Sequence, residues 1–244
     1  ELRAGLDAHA KKKGDKIPYE LSVAVPAGSS NYQNLLVGQM DKYITHWNLM
    51  AYDYSGPWSS VSDYQANVYG GYSGVSTNAA TAWYLRNGAS KDKFVIGMPI
   101  YGRGFENTDG IFKPFNGVGP GTWESGVYDY KALPFASATV YNDFKNISSY
   151  SYDGTKKELI VYDTPEIVAT KAKWIMSNQL AGAMFWELSS DKNGTDSLVW
   201  NSAKTMQVLD STQNHLNYPG SQFDNMKSGM GGSKRSHKSK PKFF

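Results

Sequence analysis

An α/β fold built on a parallel sheet and interrupted by a small α+β insertion is the class this sequence predicts. Two observations carry it. Short apolar runs alternate with helix-patterned segments over residues 1–103 and again over 163–228, at the spacing of βαβ units. Between them, residues 104–162 change character. Glycine-rich turns at Gly117, Gly119 and Gly121 separate short strand candidates, and Asp153-Gly154 is a strong hairpin signal.

Residues 1–13 read as a helix, with Leu2 and Leu6 one turn apart and Lys11, Lys12 and Lys13 at the end where cations suit the helix dipole. No Met, leader or cap precedes it, and the chain is expected to be incomplete there. After a turn, residues 19–25 form a strand stopped by Pro26 and Gly28. Leu35, Leu36, Met40, Tyr43 and Ile44 give residues 32–45 a helical pattern. The strand at 47–52 ends abruptly in Tyr52-Asp53-Tyr54, and a Gly56-Pro57 turn presents Trp58.

A polar loop rich in Tyr and Gly covers 59–74, and a helix capped by Thr77 runs to Gly88. The strand at 93–100 feeds Tyr101-Gly102-Arg103-Gly104-Phe105. Strand candidates at 139–142, 147–152 and 158–162 follow within the insertion. Asp163-Thr164-Pro165-Glu166 has the form of a helix start, with a polar cap, a first-turn Pro and an acid near the N-terminus. That helix carries Ile167, Ala172, Trp174, Ile175 and Met176, and leads to a short buried strand at 180–187 ending in Trp186 and Glu187. Residues 197–209 form a last amphipathic helix, and residues 229–244 a basic tail expected to be disordered.

Composition narrows the function. A net charge of +3 over 244 residues calls for no polyanionic partner, and the lysines and arginine crowded at 234–242 read as a solvated tail. Neither nucleic acid nor membrane is an expected partner, since no apolar run reaches the roughly 18 residues of a membrane span. The absence of cysteine excludes disulfides and thiolate metal sites. His9, His46, His215 and His237 have no metal-ligand spacing, so neither metal nor cofactor is expected. Gly117-Val118-Gly119-Pro120-Gly121 lacks the Lys-Ser/Thr of a phosphate loop and reads as a turn. Aromatic residues make up 14% of the chain, a surplus that suits stacking against sugar rings.

Three strand ends could carry chemistry. If their strands are neighbours, Tyr52-Asp53, Tyr101-Gly102-Arg103 and Trp186-Glu187 converge on one mouth, at the end where parallel α/β sheets bind ligands. Asp53 is either a catalytic carboxylate or a turn former. Arg103 either donates to a ligand through its fork or ties the insertion down by a salt bridge. Trp186 is either a flat floor under a ring or a core residue. Glu187 is either catalytic or hydrogen-bonded to a neighbouring loop.

Met50-Ala51-Tyr52-Asp53, Gly97-Met98-Pro99-Ile100-Tyr101-Gly102-Arg103 and Gly182-Ala183-Met184-Phe185-Trp186-Glu187 resemble the strand-six, strand-seven and strand-eight motifs of glycoside hydrolase family 18 chitinases. Residues 114–119 and 123–130 resemble the insertion domain of the fungal members, and the likeness runs over about residues 1–230. The resemblance implies the C-terminal half of a (β/α)8 TIM barrel. Helix four to strand seven would occupy 1–103, the α+β insertion domain 104–162, and strand eight with its flanking helices 163–228. The family's D-G-x-D-x-D-x-E motif, whose Glu is the general acid, is absent from this sequence.

The implied reaction is hydrolysis of β-1,4-linked N-acetylglucosamine polymers by a retaining, substrate-assisted route, in which the acetamido oxygen attacks C1 and water opens the oxazolinium intermediate. By resemblance, Tyr52 would bond the acetamido oxygen, and Asp53 would contact the distorted sugar. Met50 would line the pocket, Arg103 would bind the glycon side, and Trp186 would be the floor. Trp58 would stack on the aglycon side. Tyr64 departs from the His that many relatives place before Gln-Ala-Asn, which puts the support of the strand-six loop in question.

Without its general acid, the chain by itself is expected not to hydrolyse chitin. The alternatives are a non-catalytic, lectin-like binder of chitin oligosaccharides and a defective product. Open barrel edges would favour self-association. The resemblance also implies an extracellular protein, although no signal peptide is present. Asn146-Ile147-Ser148 and Asn193-Gly194-Thr195 have the form of N-glycosylation acceptors.

Overall fold

The computed structural model describes residues 1–212 and 218–227. Residues Glu1–Val208 form one compact unit. The described part of the second unit, Leu209–Phe244, carries a short helix, Asp224–Lys227. The tail expected at 229–244 lies outside the described residues.

The first half follows the predicted alternation: α1 (Leu2–Lys13), β1 (Ser22–Pro26), α2 (Ser29–Tyr32), α3 (Val37–Met40), β2 (His46–Met50), α4 (Thr77–Arg86) and β3 (Phe94–Pro99). Two expectations fail in it. Residues 32–45 do not make one helix but flank and include the single turns α2 and α3, because Leu36 leaves the helical region at φ −85° and ψ 60°. Beyond α3, Asp41 accepts from Trp47 Nε1 at 2.8 Å, Ser90 N at 3.0 Å and Ser90 Oγ at 2.7 Å. Tertiary bonds override the local helical pattern there.

The cap of α4 is Ser76, whose Oγ accepts from Ala79 N, and not Thr77. The Thr77 hydroxyl donates to Asn67 O at 3.1 Å and pairs with Tyr54 Oη at 2.9 Å, below the carboxylate-bearing turn.

A second, antiparallel sheet follows. It contains β4 (Tyr101–Phe105), β5 (Val127–Asp129), β6 (Thr139–Asp143), β7 (Ser148–Asp153) and β8 (Glu158–Val161), in the order β5-β4-β8-β7-β6. The hairpin signal is realised between β7 and β8, where Asp153 Oδ1 accepts from Thr155 N and Lys156 N. The chain then forms α5 (Pro165–Ser177), β9 (Gly182–Trp186) and α6 (Leu198–Met206). Thr164 and Ser197 cap the two helices through their hydroxyls.

The parallel sheet has the order β1-β2-β3-β9. Trp47 and Leu49 of β2 are fully buried among Phe94, Ile96, Met98, Tyr84, Ile167 and Ile175, while His46, Asn48 and Met50 on the opposite face are only half-buried. A parallel sheet is normally covered on both faces. Here the main buried cluster packs against one face, and among the described residues β1 and β9 each pair with a single strand, which makes them edge strands. A smaller apolar cluster, centred on Phe105, Leu159 and Val161, holds the antiparallel sheet.

Candidate active site

The mouth lies at the C-terminal ends of β2, β3 and β9, which are direct neighbours in the sheet. Immediately after β2 the backbone turns sharply. Asp53 adopts φ 63°, the left-handed region that Asp tolerates better than most side chains. The turn is held from below: Tyr54 N donates to Gln65 O at 3.0 Å, and the Tyr54 hydroxyl meets Thr77.

Tyr52 needs room against the sheet, and Gly97 of β3 supplies it. A Cβ at Gly97 would lie 2.9 Å from Tyr52 Cε1 and 2.4 Å from Leu49 O, so any side chain there displaces the ring. Burial, reinforced by the charge of Asp53, pushes the Tyr52 hydroxyl up to about 12. Tyr52 is therefore a hydrogen-bond donor throughout the neutral range.

Asp53 is clamped. Tyr101 Oη donates to its Oδ1 at 2.5 Å, and Arg103 Nε donates to the same oxygen at 2.7 Å. Oδ2 takes no bond from the described residues. Burial raises the Tyr101 hydroxyl, and Asp53 raises it further. At Arg103 burial works against the charge, but the bond to and charge of Asp53 outweigh it and the guanidinium is raised. The guanidinium also lies 4.8 Å from the Trp58 ring, which is 61% exposed.

One groove of about 520 Å³ is lined by Ala24, Asn48, Met50, Tyr52, Tyr101 and Trp186, with Asp53, Met184 and Phe185 completing it. A second cavity of about 270 Å³ shares Met50, Tyr52 and Asp53 and continues towards Gly28, Asn31 and Val75. Tyr52 and Asp53 thus stand between two hollows. Trp186 is 60% exposed at the end of β9, so core packing is not its role. Its flat face is available at the groove.

Of the residues singled out from sequence, Met50, Tyr52, Asp53 and Trp186 line one groove, Arg103 grips Asp53, and Trp58 sits against Arg103. The Arg103–Asp53 pair is also the tie expected of the alternative reading, since it joins β4 of the antiparallel sheet to the turn after β2. Glu187 caps the turn that follows it. Both its oxygens serve the following 3-10 turn through Ser189, and Ser189 and its backbone N–H hold the carboxyl below the usual range. Tyr64 is buried and donates to Asp143 Oδ2 at 2.9 Å, tying the loop after β2 to β6.

Two site residues escaped the sequence reading. Tyr101 was visible only as a strand-end aromatic, yet it is a direct partner of Asp53. Gln65, fully buried, accepts from Tyr54 N through its backbone carbonyl and donates through Nε2 to Tyr101 O at 2.8 Å and Val161 O at 3.2 Å. It ties the Asp53 turn to Tyr101 and to β8. An uncharged Gln inside a polar loop was the sole signal. Among the described residues no group of His, Asp and Glu is placed to hold a metal ion.

The fold that carries this clamped carboxylate matches solved structures. The catalytic domain of a psychrophilic chitinase B from Arthrobacter TAD20 superposes with a TM-score of 0.74 at 28% identity, over 84% of this chain and 49% of that one. A class V chitinase from Nicotiana tobaccum, solved in complex with NAG4, shares the fold at a TM-score of 0.76 and 24% identity, over 84% of this chain and 61% of that one. These define the class as chitinase-type glycoside hydrolase scaffolds.

The profile of glycosyl hydrolases family 18 matches residues 1–191, and the chain belongs to that family. Chitinase 1 of Aphanocladium album and Endochitinase 1 of Metarhizium robertsii are each 45% identical to it over 234 residues. Those matches cover 94% of this chain and 55% of each relative, so the chain spans about half the length of the curated relatives it matches.

Proposed function

We propose that the chain is the substrate-gripping portion of a family 18 chitinase, acting on β-1,4-linked N-acetylglucosamine chains in an extracellular setting. The observation that carries this is the Tyr52–Asp53 pair, held by Tyr101 and Arg103 at the mouth of a groove with Trp186 exposed beside it. In this reading the four parallel strands are strands five to eight of an eight-stranded barrel, residues 104–162 are an insertion domain, and 163–228 complete the barrel portion. The half-buried second face of the sheet and the single pairing of β1 and β9 among the described residues support it: eight strands, and not four, enclose an interior that side chains fill.

Each residue then has a chemical task. Tyr52 stays protonated and holds the acetamido oxygen by a hydrogen bond, orienting it for attack on C1. Asp53, fixed through Oδ1, presents Oδ2 to the distorted sugar. Met50 packs against the acetamido group and Trp186 stacks under the ring. Arg103 orients Asp53 and is itself backed by the Trp58 ring. The step that protonates the leaving oxygen needs a carboxylic acid, and the D-G-x-D-x-D-x-E segment that would supply it is absent from this sequence.

The chain alone therefore binds chito-oligosaccharide without cleaving it, which is also the behaviour of the lectin-like alternative. Titration of the purified chain with chitohexaose is expected to change Trp fluorescence, and Trp186→Ala to remove most of the change. Turnover of a chromogenic chito-oligosaccharide, abolished by Asp53→Asn, would overturn the assignment of a missing acid. No fluorescence response at all would remove both readings.

A further inference from the structure

The sequence carries two Asn-X-Ser/Thr triplets, and the fold treats them differently. Asn146 is built into the structure. Its Nδ2 donates to Asp143 Oδ2 at 2.7 Å, and its backbone carbonyl accepts from Val68 N and Tyr69 N. Its Oδ1 lies so close to Gly70 that a Cβ on that glycine would come within 2.2 Å. Ile147 is buried, and Ser148, which must supply the hydroxyl of the triplet, is 3% exposed at the start of β7. A glycan on Nδ2 has no exit there without breaking the turn that joins β6 to β7.

The second triplet is presented. Asn193, Gly194 and Thr195 are all exposed at the tip of the loop between β9 and α6. Neither the Asn193 amide nor the Thr195 hydroxyl makes a side-chain bond to the described residues. The ends of the loop, in contrast, are fixed. Asp191 accepts from Ser197 Oγ at 2.6 Å, Leu198 N at 2.9 Å and Val199 N at 3.3 Å, Lys192 Nζ donates to Leu133 O, and Tyr130 Oη donates to Asp196 O. The backbone at Asn193 is extended, φ −96° and ψ 155°. The result is a firm arch whose free side chains are the acceptor amide and the hydroxyl that recognition requires.

We propose that Asn193 is an N-glycan acceptor of this chain and that Asn146 is not. The proposal rests on the extracellular reading, because the modification is made on chains that enter the secretory route. The glycan would stand on the loop that follows β9, so it would decorate the strand-end side of the molecule without replacing any bond that holds the Tyr52–Asp53 turn.

The test supplies the route. The full 244-residue chain is translated behind a cleavable secretory leader with sealed microsomes, and only protease-protected chain is scored, before and after endoglycosidase treatment. The expected result is one mobility step, removed by the enzyme, lost in Asn193→Gln and in Thr195→Ala, and retained in Asn146→Gln. Protected chain with no step, or a step lost in Asn146→Gln and retained in Asn193→Gln, overturns the proposal. Because the leader is supplied, failure here is distinct from failure of the extracellular reading, which is tested by looking for the natural protein in culture medium.

Discussion

Replacing Lys171 by Met is expected to cost about 3–5 kcal/mol of folding free energy, the range for breaking a buried ion pair on one side. Lys171 Nζ contacts Asp163 Oδ2 at 2.6 Å and Ala66 O at 2.6 Å, and the two side chains are 3% and 2% exposed. Methionine keeps most of the volume, so the loss falls on the charge and on the two acceptors left unpaired. Size calls for an m value of about 2–3 kcal/mol/M, and the urea midpoint should fall by about 1–2.5 M.

The pH dependence gives a second handle. Burial already pushes the Asp163 carboxyl up, and Lys171 opposes that shift; without Lys171 it rises further. A carboxyl whose folded pKa exceeds its unfolded value favours folding at pH below the unfolded value, and loses that contribution as pH rises through the folded one. The deficit of Lys171→Met is therefore largest at neutral pH and shrinks on acidification. Asp163→Leu with Lys171→Met should recover most of it, since an apolar pair leaves no stranded charge. A neutral-pH cost below about 1 kcal/mol, or one unchanged in acid, would refute the buried-pair account. Ala66 adjoins Gln65, which braces the Asp53 clamp, so chitohexaose binding should weaken as well.

Two shorter predictions follow from the site and the sheet. Tyr101→Phe removes a hydrogen bond to a carboxylate that is partly open to solvent, and should cost about 1 kcal/mol by thermal melting while weakening oligosaccharide binding; unchanged melting and binding would show that Arg103 alone positions Asp53. The free edges of β1 and β9 should make the purified chain associate with concentration in sedimentation velocity, and Ala24→Lys on the exposed side of β1 should suppress it. Association that is indifferent to Ala24→Lys would place the contact elsewhere.

Much of the architecture was legible because its signals are local. The polar cap at Asp163-Thr164, the Asp153-Gly154 hairpin and the apolar runs of β2, β3 and β9 all act within a few residues of themselves. Residues 32–45 misled because their helical pattern is real, but Leu36 leaves the helical region between α2 and α3, and beyond α3 Asp41 is bonded across the fold to Trp47 and Ser90. At the site, Tyr52, Asp53 and Trp186 were found at strand ends and Arg103 just past one, where the structure puts it in the middle of β4, whereas Gln65 was not found. Its role depends on partners 36 and 96 residues away that no local pattern announces.

By itself, then, the sequence determined most of the alternation of strands and helices, the motifs that place the chain in family 18, and that Tyr52, Asp53 and Trp186 stand at strand ends, since each of these is written in periodicity, caps and short motifs. Only the tertiary structure decided that Tyr101 and Arg103 meet on one oxygen of Asp53, that Trp186 is exposed while Glu187 is committed to its own turn, and that one triplet Asn is locked while the other is free. Those outcomes depend on which distant segments the packed sheets bring within hydrogen-bonding range, and distance in space is not encoded by distance along the chain.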